Sequence, residues 1–271
     1  MTAKIIQRTA AGVLALACLL PIAACGSSAT STASTTTSAS AATTSTAATT
    51  AAASGSTAAG TGTATSCTSA DVDTSGVSAS RAGQNAEGAY GSGDYATAQA
   101  WAQVAADGGD TRGARVLGII DLLGLCGSSD YAEALVLLQQ ASDGGDMKAP
   151  RYLGQIYAEG LGVSADATVA ASSYRVGVDR GDLSSMIALG DLYVAGTGVT
   201  QNYAQALALY TQAAARADHV GAPAMAAIGR LYEEGLGVTE NVTTAADWYR
   251  KAIAAGDADA QQDLDRVVAQ Q

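Results

Sequence analysis

The 271-residue chain lacks phenylalanine and contains one histidine, three prolines, four cysteines and two tryptophans. His219 is the only histidine and lies in a loop inserted between two repeats, so the sequence predicts no histidine-based catalytic triad. The spacing of the cysteines fits no zinc site. The scarcity of large aromatic side chains predicts a thin core built from small residues. The sequence therefore predicts no catalytic residues, no metal, no cofactor and no enzymatic activity.

Positive charge is also scarce. The chain has 14 Lys and Arg residues against 25 Asp and Glu residues, which gives a formal net charge of −11. Such a surface disfavours nucleic acid and anionic lipid as partners. Two interpretations of the acidic residues stay open: solubilising charges at helix caps and solvent faces, or a surface for a cationic partner.

The first 24 residues have the order of an export signal. Lys4 and Arg8 form a basic start, and residues 10–20 form an apolar run too short to span a bilayer. The following Ile-Ala-Ala-Cys-Gly, which ends at Gly26, resembles the lipobox of bacterial lipoproteins. The resemblance implies cleavage after residue 24 and acylation of Cys25, which would anchor the chain in a lipid bilayer. An ordinary signal peptide with an incidental cysteine is the alternative.

The residue after the acylated cysteine sorts lipoproteins in bacteria with two membranes. Asp at that position favours retention in the inner membrane, whereas Gly26 indicates the outer membrane, facing the periplasm. Residues 25–79 would be a linker, because Ala, Ser, Thr and Gly dominate residues 26–66 and cannot bury enough apolar surface to order the chain.

No charged residue occurs between Thr9 and Ala70, so the linker is predicted to be a neutral, disordered tether. Cys67 and Cys126 are the remaining cysteines. After export they would meet an oxidising compartment, where two such cysteines are more often paired than free. We expect a disulfide between them; two free thiols are the alternative.

An eleven-residue motif organises the rest of the chain. Residues 153–163 read Leu-Gly-Gln-Ile-Tyr-Ala-Glu-Gly-Leu-Gly-Val, and copies follow at 189–199 and 228–238, with a worn copy at 117–124. A fixed period of 20–50 residues is typical of a solenoid. Gly154 lies where a side chain would hold off a neighbouring helix. Gly160 fits a left-handed position that ends a helix.

A second helix follows each copy of the motif. Asp or Asn, which are strong N-caps, recur at its start with spacings of 36, 36, 36 and 39, at Asp94, Asp130, Asp166, Asn202 and Asn241. Alanine recurs four residues later, which allows close packing between helices. The first helices are predicted near 80–91, 111–123, 147–159, 183–195 and 222–234, and the second helices near 94–107, 129–143, 165–180, 201–216 and 241–255.

These motifs together resemble the Sel-one-like repeat, a subclass of the tetratricopeptide-like helical repeats. The last copy, Gly229 to Gly256, carries the pattern most fully, with Ala245, Trp248 and Tyr249 in register. The resemblance covers roughly residues 80–265, and the predicted repeat domain is residues 80–271. It implies an all-α fold, a right-handed α-α superhelix of about five helix-turn-helix repeats.

Solenoids of this class bind peptides or proteins in a groove lined by the first helices. The resemblance therefore implies a membrane-anchored interaction scaffold of the cell envelope, whose partner is an envelope protein or peptide. The residues predicted to point outward into this groove are basic in the second and third repeats and mostly acidic in the fourth and fifth: Arg112, Arg115, Lys148, Arg151, Gln155, Asp191, Arg230 and Glu233. A polarised groove and scattered solvent-facing charge are equal alternatives for this gradient.

Relatives of the family imply three finer hypotheses. Some assemble polysaccharide export machinery, and a sensor of envelope stress is a second role of the same class. Some cysteine-rich relatives are associated with penicillin binding, so a cell-wall or β-lactam-binding enzyme is the alternative from another class. Those relatives carry a disulfide in each repeat, whereas this chain offers one pair.

Overall fold

The computed structural model describes Cys67 and residues 72–269. Within these residues the chain forms eleven α-helices and no β-strand. The helices are α1 (Ala79–Gly91), α2 (Tyr95–Asp107), α3 (Thr111–Leu123), α4 (Tyr131–Asp143), α5 (Ala149–Glu159), α6 (Ala167–Asp179), α7 (Leu183–Ala195), α8 (Tyr203–Ala214), α9 (Ala222–Glu234), α10 (Val242–Ala254) and α11 (Ala260–Val268).

Each helix packs on the next one along the chain, from α1 through to α11. The odd-numbered helices α1 to α9 are the first helices of five repeats, and the even-numbered helices are the second helices. The first helices α1 and α3 also contact each other, as do α5 and α7. Contacts between near neighbours of this kind define a helical solenoid, which confirms the predicted fold class.

The predicted helix boundaries are confirmed to within a few residues because the caps are explicit in the sequence. Asp94, Asp130, Asp166, Asn202 and Asn241 all accept a hydrogen bond from a backbone N–H in the first turn of the second helix. Gly160 ends α5 with φ 69°, as the sequence predicts. In the second repeat Cys126 replaces the second turn glycine, and a positive φ of 152° falls on Gly127 instead.

In the first helices α3, α5, α7 and α9, a glycine near the middle of the helix permits close approach of the second helix of the same repeat. A Cβ atom on Gly190 would lie 2.5 Å from the ring of Tyr210, and one on Gly229 would lie 2.7 Å from the ring of Tyr249. The rings of both tyrosines are buried. A side chain at either glycine would therefore displace an aromatic ring that has no free space to move into.

The apolar core is divided unevenly along the solenoid. In the C-terminal repeats one cluster of buried side chains runs from Met186 to Val267 and includes both Tyr210 and Tyr249. The repeats before it are held by smaller clusters, centred on residues such as Ile120, Leu138 and Tyr174, and these clusters are rich in alanine.

A disulfide joins Cys67 to Cys126, with the Cα atoms 4.8 Å apart. It closes a loop that contains α1, α2 and α3. No helix among the described residues is long and apolar enough to cross a membrane. The predicted signal peptide, the predicted lipidation of Cys25 and nearly all of the predicted linker lie outside the described residues.

Candidate functional site

The candidate site is the surface formed by the first helices, here called the first-helix surface. Eight residues were predicted to point outward from it. The structure leaves one of them exposed, buries one and half-buries six, and it gives every one of them an interaction within the protein.

Arg115 is the buried residue, so its predicted outward position is wrong. Its residue exposure is 5 %, and the guanidinium bridges two neighbouring repeats. The Nε atom donates to the carboxylate of Asp146 at 3.0 Å, and an Nη atom pairs with Glu87 of α1. Asp146 in turn accepts hydrogen bonds from the backbone N–H groups of Lys148 and Ala149 at the start of α5. A guanidinium enclosed in this way binds the repeats together and is not available to a partner.

The other basic residues extend the same network along the first helices. Arg112 pairs with Asp110 at 2.7 Å and donates to Ser80 of α1 at 3.0 Å. Lys148 approaches Glu87 at 3.9 Å but keeps 42 % of its side chain exposed. The predicted positive region is therefore largely neutralised by Asp and Glu, and Lys148 is its most accessible cation.

Arg151 and Tyr152 form a half-exposed aromatic and cationic pair on α5. The guanidinium lies 4.5 Å from the centre of the Tyr152 ring and donates to its hydroxyl group at 2.5 Å. It also donates to Ser184 of the next repeat at 2.9 Å. A cation stacked on an aromatic face is a common anchor in protein interfaces. Beside this pair, Gln155 donates to Glu159 at 3.1 Å.

Two carboxylates of the fourth and fifth repeats accept hydrogen bonds from buried tyrosines. Asp191 accepts from the hydroxyl of Tyr210 at 2.6 Å, and Glu233 accepts from the hydroxyl of Tyr249 at 2.7 Å. Arg266 of α11 also donates two hydrogen bonds of 2.7 Å to Glu233. Glu233 is therefore paired with a cation, whereas Asp191 is open to solvent along one side.

The pKa values of these two carboxylates shift in opposite directions. Protein atoms crowded around the carboxylate raise the pKa of Asp191, and the hydrogen bond from Tyr210 only partly offsets this effect. Burial also acts to raise the pKa of Glu233, but hydrogen bonds from Arg266 and Tyr249 outweigh it and lower that pKa. Arg230 faces both carboxylates and favours their charged forms.

Tyr210 and Tyr249 act as neutral donors to these carboxylates. Burial raises the pKa of Tyr174 to about 12 and that of Tyr210 and Tyr249 further still. A hydroxyl group of this kind holds a carboxylate in place and does not supply a base or a nucleophile at neutral pH. No group of three or more His, Cys, Asp or Glu in the described part of the chain could hold a metal ion.

Sequence reasoning missed the partners that complete this surface, chiefly Glu87, Asp146, Tyr152 and Arg266. Each lies on a different repeat from the residue that it contacts, apart from Tyr152. A comparison of residues at equivalent positions one repeat apart could have found the pairing of Arg115 with Asp146.

Comparisons with known proteins agree with this geometry. A family model described as the Sel1 repeat matches residues 79–110, 113–146, 150–172, 183–218 and 222–257, which together exceed half of the chain. The chain belongs to the Sel1 repeat family. Sel1 repeats are typical of non-enzymatic scaffolds and mediate protein–protein interaction through their stacked helices. A comparison with curated proteins finds no match.

Solved structures of other Sel1 repeat proteins are similar to this chain. The protective antigen c5321 of uropathogenic Escherichia coli, which displays the same repeat fold, matches with 31 % identity and a TM-score of 0.57 over 68 % of this chain. The chain spans 40 % of the length of c5321. A Sel1 repeat protein of Oxalobacter formigenes matches with 26 % identity and a TM-score of 0.60, over 69 % of this chain and 76 % of its own.

A third structure, from Klebsiella pneumoniae subsp. pneumoniae, is described as a putative sel1 repeat protein. It is 20 % identical with a TM-score of 0.51, and the match covers 70 % of this chain and 93 % of that protein. At this identity the likeness concerns the fold alone.

Proposed function

We propose that this Sel1 repeat protein is a lipid-anchored interaction scaffold of the bacterial cell envelope. Acylated Cys25 would hold it in the outer membrane on the periplasmic side, and the linker would let the repeats reach a protein or peptide partner. The observation that carries the proposal is the combination of five Sel1 repeats with a lipobox-like sequence at the start of the same chain.

Two features support the envelope as the location. The disulfide between Cys67 and Cys126 is of a kind that persists in exported proteins and is rare in the cytosol of mesophilic bacteria. The Ala, Ser and Thr composition of residues 26–66 is typical of sequences that link an anchor to a folded domain.

The partner would bind the first-helix surface around α5 and α7. Lys148 is accessible there, the stacked pair of Arg151 and Tyr152 offers an aromatic anchor, and Asp191 of α7 offers an exposed acceptor. Aromatic and arginine side chains of this kind dominate the energetics of interfaces.

A photo-crosslinking amino acid at Gln155 in living cells tests this surface. The full-length chain with the crosslinker at Gln155 should capture one envelope protein, which mass spectrometry would identify. The matched control places the crosslinker at Gln139, an exposed glutamine of the second helix α4. Capture of the same proteins from both positions would contradict the proposed surface.

Charge reversal sharpens the same experiment. Lys148→Glu should abolish the capture at Gln155, whereas Lys251→Glu, on the exposed side of the second helix α10, should leave it unchanged. Equal loss in both variants would indicate a general effect of net charge and would count against a specific contact at Lys148.

Lipid attachment is tested separately with an alkyne-labelled fatty acid. Wild-type protein should incorporate the label and fractionate with the outer membrane, and Cys25→Ser should lose both properties. Incorporation of the label by Cys25→Ser would show that the proposed attachment site is wrong.

A further inference from the structure

Two surface clefts on the side formed by the second helices occupy the same position in the repeat unit. One, of about 330 Å³, is lined by residues of α2, α3 and α4 that include Gln103, Asp121 and Glu133. The other, of about 380 Å³, is lined by residues of α6, α7 and α8 that include Arg175, Tyr193 and Gln205. Each residue of the second set follows its counterpart by 72 positions, or two repeats of 36.

The first of these, here called the acidic cleft, carries negative charge without a counter-ion. The carboxylates of Asp107, Asp121 and Glu133 line it, together with glutamines and no cation. None of the three forms an ion pair with any of residues 72–269. Burial raises the pKa of Asp121, and the nearby charges of Asp130 and Glu133 add to this effect.

The second, here called the basic cleft, carries the opposite charge. Arg175 lines it with hydroxyl and amide side chains, and no carboxylate is among the described residues around it. The guanidinium donates to the hydroxyl of Tyr193 at 3.2 Å and forms no ion pair within the described chain. Its counterpart in the fifth repeat, Arg250, pairs with Asp247 of the same helix at 2.8 Å. Arg175 is thus a cation that the fold leaves uncompensated.

Two exposed apolar residues, Val136 and Val169, lie at repeat positions between the two clefts. Val136 of α4 precedes Ser172 of the basic cleft by 36 positions, and Val169 of α6 precedes Gln205 by the same interval. The two valines are 60 % and 37 % exposed, so both side chains are available to a partner. These two valines, here called the valine patch, are placed by sequence position one repeat from a residue of the acidic cleft, Glu133, and one repeat from a residue of the basic cleft, Ser172.

We propose that this face binds a second copy of the same chain. Because the repeats are evenly spaced, a two-fold axis through the valine patch would bring the acidic cleft of each copy onto the basic cleft of the other. Such an interface is self-complementary and closed, so it yields a dimer. The valine patch supplies the dry centre of the interface. The charged clefts set the antiparallel orientation of the two copies, because a parallel arrangement would place like charges together.

Charge reversal tests this arrangement in the purified full-length chain by analytical ultracentrifugation. The wild type should sediment as a reversible dimer. Arg175→Glu and Glu133→Arg should each weaken dimerisation by about tenfold or more, because every dimer then contains two contacts between like charges. The chain that carries both substitutions restores opposite charges across the axis and should regain most of the affinity.

Arg250→Glu is the matched control, because it occupies the same helix position two repeats further on and should leave the dimer unchanged. Val136→Asp should abolish dimerisation, since it places a charge at the two-fold axis. Thermal melting followed by circular dichroism verifies that each variant is folded.

Three results would overturn the proposal: a wild type that stays monomeric at every protein concentration tested, a doubly reversed chain as weak as either single variant, or a dimer unaffected by Val136→Asp. If Glu133→Arg leaves the dimer unchanged but removes the binding of a cationic ligand, the acidic cleft serves that ligand and not a second copy.

Discussion

Different side chains hold the helices together in the N-terminal repeats, α1 to α4, and in the C-terminal repeats, α7 to α10. In the N-terminal repeats, Arg115 joins Glu87 and Asp146 across repeat boundaries, and a disulfide adds a covalent link. In the C-terminal repeats, tyrosines pack on glycines within each repeat and share one continuous apolar core. The third repeat, α5 and α6, has both Arg151 at its boundary and Tyr174 in its interior.

The two halves differ in which geometric property their contacts fix. Ion pairs and hydrogen bonds between repeats fix the neighbour's orientation, because their geometry is directional. Tyrosine rings seated on glycines fix the distance between the two helices of one repeat. We therefore expect substitutions at these contacts in the N-terminal half to weaken the packing between repeats. Substitutions at the equivalent contacts in the C-terminal half should weaken the packing between the two helices of one repeat.

The largest expected effect tests the buried ion pairs. Arg115→Met should lower the free energy of unfolding by about 3–5 kcal/mol, because it leaves the buried carboxylate of Asp146 without its cation. Denaturant unfolding would measure the loss. The control Arg250→Met removes an exposed pair and should cost less than about 1 kcal/mol. Equal losses in the two variants would mean that Arg115 does not organise the boundary between repeats.

The disulfide should matter nearly as much, and only in the N-terminal half. For a loop of 59 residues, its removal should cost about 4 kcal/mol in the chain-entropy model. Hydrogen exchange of the reduced protein, followed by mass spectrometry, should show faster exchange in α1 to α3 and unchanged exchange in α8 to α10. Uniformly faster exchange would contradict the local character of the link.

Substitution of a glycine under a tyrosine should have a smaller effect in the C-terminal half. Gly190→Ala should destabilise the protein by about 1–3 kcal/mol, since the new Cβ atom would lie 2.5 Å from the ring of Tyr210. Gly88→Ala in α1 meets no atom within 4 Å and should stabilise by up to about 1 kcal/mol through helix propensity. Thermal unfolding of both variants would separate close packing from propensity; a stabilised Gly190→Ala variant would contradict the packing role.

The smallest expected effect is a difference in pH dependence between Asp191 and Glu233. The native state raises the pKa of Asp191 above its ordinary value of 3.8, so its contribution to stability is present below that pH and is lost as pH rises through the native pKa. The native state lowers the pKa of Glu233 below 4.5, so its contribution is present above that pH and is lost as pH falls through the native pKa.

Denaturant unfolding from pH 3 to pH 7 would measure both effects. The stability of wild type relative to Asp191→Asn should decline with rising pH, and that relative to Glu233→Gln should increase. Parallel curves for the two variants would show that the cation Arg266 does not distinguish the two carboxylates.

The fold was predictable because the residues that begin and end its helices act locally. Aspartate and asparagine caps, and glycines at left-handed positions such as Gly160, act within a few residues of the chain and repeat at a fixed interval. The glycine at 154 was predicted to allow a close approach, but its aromatic neighbour Tyr174 was not, because the contact is between two helices.

The candidate site was harder to predict because exposure depends on neighbouring repeats. Arg115 lies on a first helix at a position that sequence spacing alone would leave outward, yet Glu87 from one side and Asp146 from the other enclose it. The acidic and basic clefts escaped prediction for the same reason. Each is formed by three helices, and its charge becomes evident only when equivalent positions are compared two repeats apart.

The bond between Cys67 and Cys126 also has a mechanical consequence. Tension applied to the chain ahead of Cys67 passes through the sulfur atoms directly to the turn between α3 and α4. The first repeat and α3 lie inside the covalent loop and carry none of that load. In a solenoid without this bond, tension on the N-terminal side would unfold the first repeat first. Here the same tension acts first on the second repeat. The chain extension measured on unfolding should therefore be shorter by the length of the closed loop.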